Sequence, residues 1–236
     1  MSQASVEPER SVGAPAAPEA GSARSTRTAC SGPDRSRGLR KTVVPARSTV
    51  PEALAAALDV CPGKPLINSI NGEERSLSEI LPLAKERGAG VVGLAMGEEG
   101  VPTDVEDRVE IARQVIRESI SGGIPREDGI LDPLALAVGA DTSEPMATLK
   151  ATRLLAQIEG ANLTLGASNI SFGLPDRSAV NDIFVALASF AGVTCPIIDP
   201  SKGRRALLIA DLMLGRDDFA ERYLGFVRQA RLRSPN

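Results

Sequence analysis

The sequence predicts an α/β chain of repeated βα units, arranged as a TIM-type (β/α)8 barrel that is incomplete. Three observations point there. Short aliphatic runs alternate with amphipathic helical stretches at a spacing of roughly 30 residues, the repeat of a βα unit. The chain is 42% hydrophobic but only 3% aromatic, so its core must come from Ala, Leu, Ile and Val, as in parallel strands covered by Ala-rich helices. No GxGxxG follows an early strand and no Gly-rich GK[ST] loop occurs, which weighs against nucleotide-binding open sheets and favours the barrel.

Met1 to Arg40 is mostly Ser, Ala, Pro, Gly and Arg, without a period of 2 or 3.6. Such a stretch cannot offset its ordering entropy by burial and is expected to be disordered. A transit peptide fits it less well, because Glu7, Glu9, Glu19 and Asp34 are out of place in one. The barrel domain is expected over residues 41–233. Its strand runs are Thr42–Val44, Pro65–Ile70, Gly90–Met96, Gly129–Leu134, Asn162–Ala167 and Cys195–Ile198, fewer than the eight of a full barrel. Leu77, Ile80, Leu81 and Ala84 mark a helix ending near Gly88, with Pro82 inside it. Thr103 and Glu106 form a capping-box pattern before Val105, Val109, Ala112, Ile116 and Ile120, and Gly122-Gly123 ends that helix. Leu149, Leu154, Leu155 and Ile158 mark a third, closing at Gly160, and Ile183, Phe184, Leu187 and Ala188 a fourth, closing at Gly192. Two more are expected at Ala206–Leu214 and Asp218–Arg231.

A net charge of −3 argues against a nucleic-acid backbone binder, which would be basic. No run of 18 apolar residues suggests a membrane span and no N-terminal apolar stretch reads as a secretion signal. The three cysteines, Cys30, Cys61 and Cys195, form no CxxC pair, so neither a disulfide framework nor a zinc site is expected, and a reducing cytoplasm is the simple inference. The chain has no histidine. That removes Ser-His-Asp and Cys-His machinery and most transition-metal sites, leaving carboxylates, amides, hydroxyls, Lys/Arg or a bound cofactor to do any chemistry.

In a (β/α) barrel the working residues stand at the C-terminal ends of strands. Here those ends read Ile67-Asn68-Ser69, Leu131-Asp132-Pro133 and Gly166-Ala167-Ser168-Asn169. Each residue alone also fits a turn, since Asn makes Asx turns and Asp before Pro opens loops. Three strands converging on one barrel mouth favour a shared pocket.

The strings PLINSINGE (Pro65–Glu73), GVVGLAM (Gly90–Met96), Gly100-Val101-Pro102 with Arg108, Asp132-Pro133-Leu134 and, above all, SNISFGLPDRSAVN (Ser168–Asn181) resemble the pterin-binding domain of methyltetrahydrofolate:corrinoid methyltransferases and of cobalamin-dependent methionine synthase. The likeness covers about Pro65 to Pro200. It implies that the chain binds methyltetrahydrofolate as methyl donor and passes the N5 methyl to the cobalt of a corrinoid, free or held by a partner protein, with no metal bound by the barrel itself. It implies that Asp132 accepts the paired N–H donors of the pterin edge, that Asn68 satisfies a neighbouring donor and acceptor, and that Asn169 stands at N5. Arg177 matches a further position of the string and is expected at the loop or the folate side, a structural Arg–carboxylate pair being the alternative. Ser168, Ser171 and Asn181 are expected to shape that turn. A homodimer is also implied.

The chain departs from that pattern at its start. Family members carry an acidic residue in an Asp-Ser-Thr setting at the strand before Asn68, where this chain has Ala46-Arg47-Ser48-Thr49. The first βα units are expected to be missing, as after a frameshift or truncation of a longer gene. An open barrel would expose strand edges, so poor solubility or obligate pairing is expected. Two other readings stand beside the methyltransferase: an impaired or inactive barrel remnant with residual pterin binding, and a dihydropteroate synthase-like enzyme. The latter should carry a basic phosphate-binding set near its last strands. Lys202, Arg204 and Arg205 follow the last run but open a helix and read as a solvated face.

Overall fold

The computed structural model describes residues 51–61, 63–158 and 160–233. The expectations for residues 1–40, for a strand at Thr42–Val44 and for Arg47 lie outside them. The described chain begins with helix α1 (Pro51–Asp59) and proceeds as β1 (Leu66–Ile70), α2 (Glu74–Glu86), β2 (Gly90–Leu94), α3 (Val105–Ser121), β3 (Gly129–Asp132), α4 (Glu144–Leu155), β4 (Asn162–Leu163), α5 (Arg177–Ala191), α6 (Pro200–Met213) and α7 (Glu221–Arg233).

The four strands lie in the order β1-β2-β3-β4, and each adjacent pair is parallel. Each new strand is added on the same side of the last. That is how a barrel wall grows, whereas a doubly wound sheet reverses direction at a switch point. A parallel bridge between Gly166 and Ile197 extends the arc by one more crossing. Among the described residues the wall is therefore an arc and not a closed cylinder.

The strands alternate between two environments, as period-2 side chains must. Ile67 and Val91 pack with Leu54, Leu58, Ile80, Leu81 and Ala84 of α1 and α2. Leu131 and Leu163 pack with Val109, Ala112, Ala151 and Leu155 of α3 and α4. Their sequence neighbours Leu66, Val92 and Ile130 cluster instead with Cys195 and Leu94, without any helix residue. That second face is the concave inner side of the arc. Gly93 lets α3 approach β2 closely, because a Cβ there would lie 2.6 Å from Val115 Cγ1.

Several helix ends differ from the expectation. α3 is capped by Asp104, whose Oδ1 accepts from the backbone N–H groups of Glu106 (2.9 Å) and Asp107 (3.1 Å), and not by a Thr103–Glu106 box. A carboxylate is as good a cap as a hydroxyl and also favours the positive helix end, so the adjacent Asp takes the position. α5 buries Phe184, Val185 and Ala188 against Leu165, Ala167 and Leu207, while Ile183 and Leu187, which also mark the helix in the sequence, are exposed. α4 stops at Leu155, leaving Ile158 beyond the helix in the turn that Gly160 completes. The runs Asn162–Ala167 and Cys195–Ile198 are less regular than expected, with two strand residues in the first and a single bridge in the second. Pro196 has no N–H to offer a ladder, and the Thr164 hydroxyl bonds the Cys195 carbonyl instead, at 2.7 Å.

Candidate functional site

Asn68 and Asp132 share the inner face of the arc, two residues beyond Leu66 and Ile130 in the same alternation. Asp132 is the last residue of β3 and is 6% exposed. One of its oxygens, Oδ1, accepts the Leu134 N–H at 2.8 Å. Its other oxygen has no hydrogen-bond donor among the described residues. Burial pushes this carboxyl up to about 7, against the lowering effect of the Leu134 N–H. Leaving water disfavours the charged form, and one backbone donor restores only part of the lost hydration. Asn68 is half-buried in β1 at the position paired with Val92, just before an irregularity that shifts the register between Asn68 and Ile70. Asn169 closes the short turn Ala167–Asn169 and is exposed, its carboxamide lying over Gly166, where a Cβ would come within 3.1 Å of Nδ2. Among the described residues neither carboxamide has a hydrogen-bond partner. The three expected polar residues thus retain donors and acceptors for a ligand.

Backbone bonds tie the strand ends into one rim. Gly72 N–H donates to Met96 O (2.8 Å), Ala95 N–H to Asp132 O (2.9 Å), and Val138 N–H to Ile170 O (3.0 Å). The loop after β1 is therefore joined to the end of β2, that end to β3, and the loop after β3 to the turn carrying Asn169. Asn71 shapes the first loop: its Nδ2 donates to Glu73 Oε1 (2.8 Å) and its Oδ1 accepts from Glu73 N–H (3.2 Å).

Arg177 holds the Asn169 turn. Its Nη2 donates to Ser168 O (2.7 Å), its Nε to Ser171 Oγ (3.0 Å), and its guanidinium lies 5.8 Å from the centre of the Phe172 ring. Among the described residues no acidic group pairs with it. Ser171 is fully buried beside that turn, its hydroxyl accepting from Arg177 Nε and donating to Ser168 O at 3.3 Å. Asn181 Oδ1 is buried with no hydrogen-bond partner among the described residues.

The support behind Asp132 was less visible in the sequence. Arg108 on α3 is wholly buried. It donates to both carboxylate oxygens of Glu144 (3.0 and 3.2 Å), twice to Pro102 O (2.9 and 3.2 Å), and, at 3.5 Å, to Leu134 O. The Thr148 hydroxyl donates to the same Leu134 carbonyl at 3.1 Å. Arg108 belonged to a recognised string, but nothing in the sequence linked it to Glu144 or Thr148.

No group of three or more His, Cys, Asp or Glu side chains able to hold a metal ion occurs among the described residues, and no described helix is long and apolar enough to cross a membrane. Lys202, Arg204 and Arg205 are exposed on α6, as a solvated face would be.

A sequence model of the family described as pterin binding enzyme matches residues 41–199. The methylcorrinoid:tetrahydrofolate methyltransferase of Eubacterium limosum is 28% identical over 193 residues, covering 77% of this chain and 69% of that protein. The methionine synthase of Mycobacterium leprae is 33% identical over 168 residues, covering 66% of this chain and 14% of that much longer protein. Among solved structures, dihydropteroate synthase from Xanthomonas albilineans in complex with 7,8-dihydropteroate superposes with a TM-score of 0.56 at 21% identity, covering 71% of this chain and 67% of that one. This last likeness carries the fold: a (β/α) barrel, of which the described strands form an arc.

Proposed function

This chain belongs to the pterin-binding enzyme family, and we propose that it binds the pterin of methyltetrahydrofolate at its strand ends and moves the N5 methyl group between the folate and a corrinoid. The carrying observation is Asp132, a buried carboxyl at the end of β3 with one oxygen unbonded among the described residues, on the same rim as the Asn68 and Asn169 amides, which also have no partner among those residues. A carboxylate can accept two parallel N–H donors, the pattern a pterin edge presents, and a carboxamide offers both a donor and an acceptor to the rest of the ring. The named substrates of the Eubacterium limosum relative, a methylcorrinoid and tetrahydrofolate, support this reading over the dihydropteroate synthase alternative, which rests on fold likeness alone.

The corrinoid is a substrate and would supply the nucleophilic cobalt that takes the methyl group. The protein's contribution is to bind and orient the folate and to stabilise its N5. A methylated tertiary amine is a poor leaving group until it is protonated. Asn169 does not titrate, so it cannot serve as the acid. Its carboxamide oxygen would accept a hydrogen bond from the developing N5–H, with the proton arriving through water, and so favour the transition state over the ground state. Arg177 would fix the turn that carries Asn169. Binding a donor edge favours the ionised form of Asp132, so in the empty site, with its carboxyl near 7, affinity should fall below about pH 7 and binding should release a proton.

The test is methyl exchange between methyltetrahydrofolate and reduced cobalamin, with Asn169→Ala beside the unaltered chain. We expect the variant to bind methyltetrahydrofolate within a few-fold of the unaltered chain but to turn over at least about tenfold more slowly, the loss of one transition-state hydrogen bond. Folate binding without turnover by the unaltered chain would replace this reading with that of a pterin-binding remnant.

A further inference from the structure

We infer that Thr148, together with the Arg108–Glu144 pair, is a positioning residue that sets the hydrogen bonding of Asp132 through the backbone of Leu134. Leu134 has φ +61°, the left-handed region that a branched side chain rarely occupies unless its surroundings enforce it. Two groups do so. The Thr148 hydroxyl and Arg108 Nη1 both donate to the Leu134 carbonyl, from α4 and α3 respectively. With the carbonyl pinned, the same residue's N–H points back at Asp132 Oδ1, 2.8 Å away. Thr148 bonds the Leu134 carbonyl and not Asp132, so its effect passes through the φ and ψ of Leu134, from the peptide unit that follows it to the one that precedes it.

The energetics favour a dedicated arrangement. Arg108 is 0% exposed and spends its guanidinium on Glu144 and on the loops after β2 and β3. A buried guanidinium is tolerated only when so fully paired. Arg108 from α3 and Glu144 from α4, packed behind this strand end, neutralise each other. That leaves the Leu134 N–H as the donor that favours the ionised form of Asp132. Losing its alignment would make the carboxylate harder to form and the pterin harder to hold.

The functional importance of this device rests on the pterin-binding reading of Asp132, but its test reads the carboxyl in the free protein. The full chain and its Thr148→Val and Thr148→Ser variants would be titrated by carbon NMR of the Asp side-chain carboxyls, with Asp132→Asn identifying the signal. Thr148→Val keeps the γ-methyl and replaces the hydroxyl with a second methyl, whereas Thr148→Ser keeps the hydroxyl and loses the methyl. We expect the Asp132 midpoint to rise by roughly half a pH unit or more in Thr148→Val and to stay put in Thr148→Ser. Thr148→Ala gives a second hydroxyl-free variant should Thr148→Val not fold. An unmoved midpoint in the hydroxyl-free variant, or an equal rise in Thr148→Ser, overturns the inference. Failure of the unaltered chain to bind methyltetrahydrofolate would refute the pterin reading alone.

Discussion

Asp132→Asn should make the protein more stable at neutral pH while weakening pterin binding. The carboxyl stands at about 7 against an ordinary 3.8. Between those two values the folded chain keeps a proton that the unfolded chain has released. Stability from this group is thus complete below about pH 4, is lost as pH rises toward 7, and is flat above. At about 1.36 kcal/mol per pH unit, the ceiling on the loss is ~4 kcal/mol. Asn is neutral at every pH and keeps the oxygen that accepts the Leu134 N–H, so it escapes the loss. Thermal melts of both chains from pH 4 to 8 would isolate the effect. The Tm difference, variant minus unaltered, should be near zero at pH 4, grow through pH 7, and reach at least about 4 °C at pH 8, from roughly half the ceiling at 2–4 °C per kcal/mol. In the same variant, methyltetrahydrofolate affinity should fall at least about tenfold, because an amide cannot accept both N–H groups of a paired-donor edge. A Tm difference that is flat with pH, or negative at pH 8, would refute the claim that burial strains this carboxylate.

Glu144→Gln should destabilise the fold by about 3 kcal/mol, read by urea unfolding, because it leaves the Arg108 charge buried without its counterion. The double change Arg108→Met with Glu144→Leu should cost less than that single change, since no orphaned charge remains; a larger cost would contradict the accounting. Gly192→Ala combines a φ of +127° with a Cβ placed 2.5 Å from Ala156 Cβ, so about 2 kcal/mol or more of stability should be lost, and a loss under about 0.5 kcal/mol would show that the end of α5 can shift. Arg177→Ala removes the donor to the Ser168 carbonyl. Amide exchange across Asn169–Phe172 should quicken by roughly tenfold with little change in Tm, and unchanged exchange would show that the turn holds itself.

The repeat of βα units was legible because an aliphatic run followed by an amphipathic stretch has few other folds open to it, and the strands after residue 65 fall within the expected runs. The faces of the helices were harder to read. α5 carries Ile183, Leu187 and Phe190 on its exposed side as well as Phe184, Val185 and Ala188 on its buried one, and a helix apolar on most sides has no single stripe for periodicity to find. The α3 cap moved by one residue because Thr103 and Asp104 are both competent caps, and only the backbone decides between them.

The candidate site divides along the same line. Asn68 and Asp132 stood out because a polar residue at the end of an otherwise aliphatic strand breaks the pattern of a buried inner face. Thr148 and Glu144 did not, because a Thr or Glu inside an amphipathic helix is what solvated surface looks like. Their burial follows from α3 and α4 packing side by side, a contact made across 36 residues of sequence between Arg108 and Glu144. The polar groups offered to a ligand are therefore local features of single strands, readable one at a time. The groups that orient them belong to pairs of βα units, and are decided only when the sheet brings those units together. Asp132 joins the two levels. Its identity is written in β3, whereas the hydrogen bond that keeps its charge within reach at neutral pH depends on a leucine backbone held by two neighbouring helices.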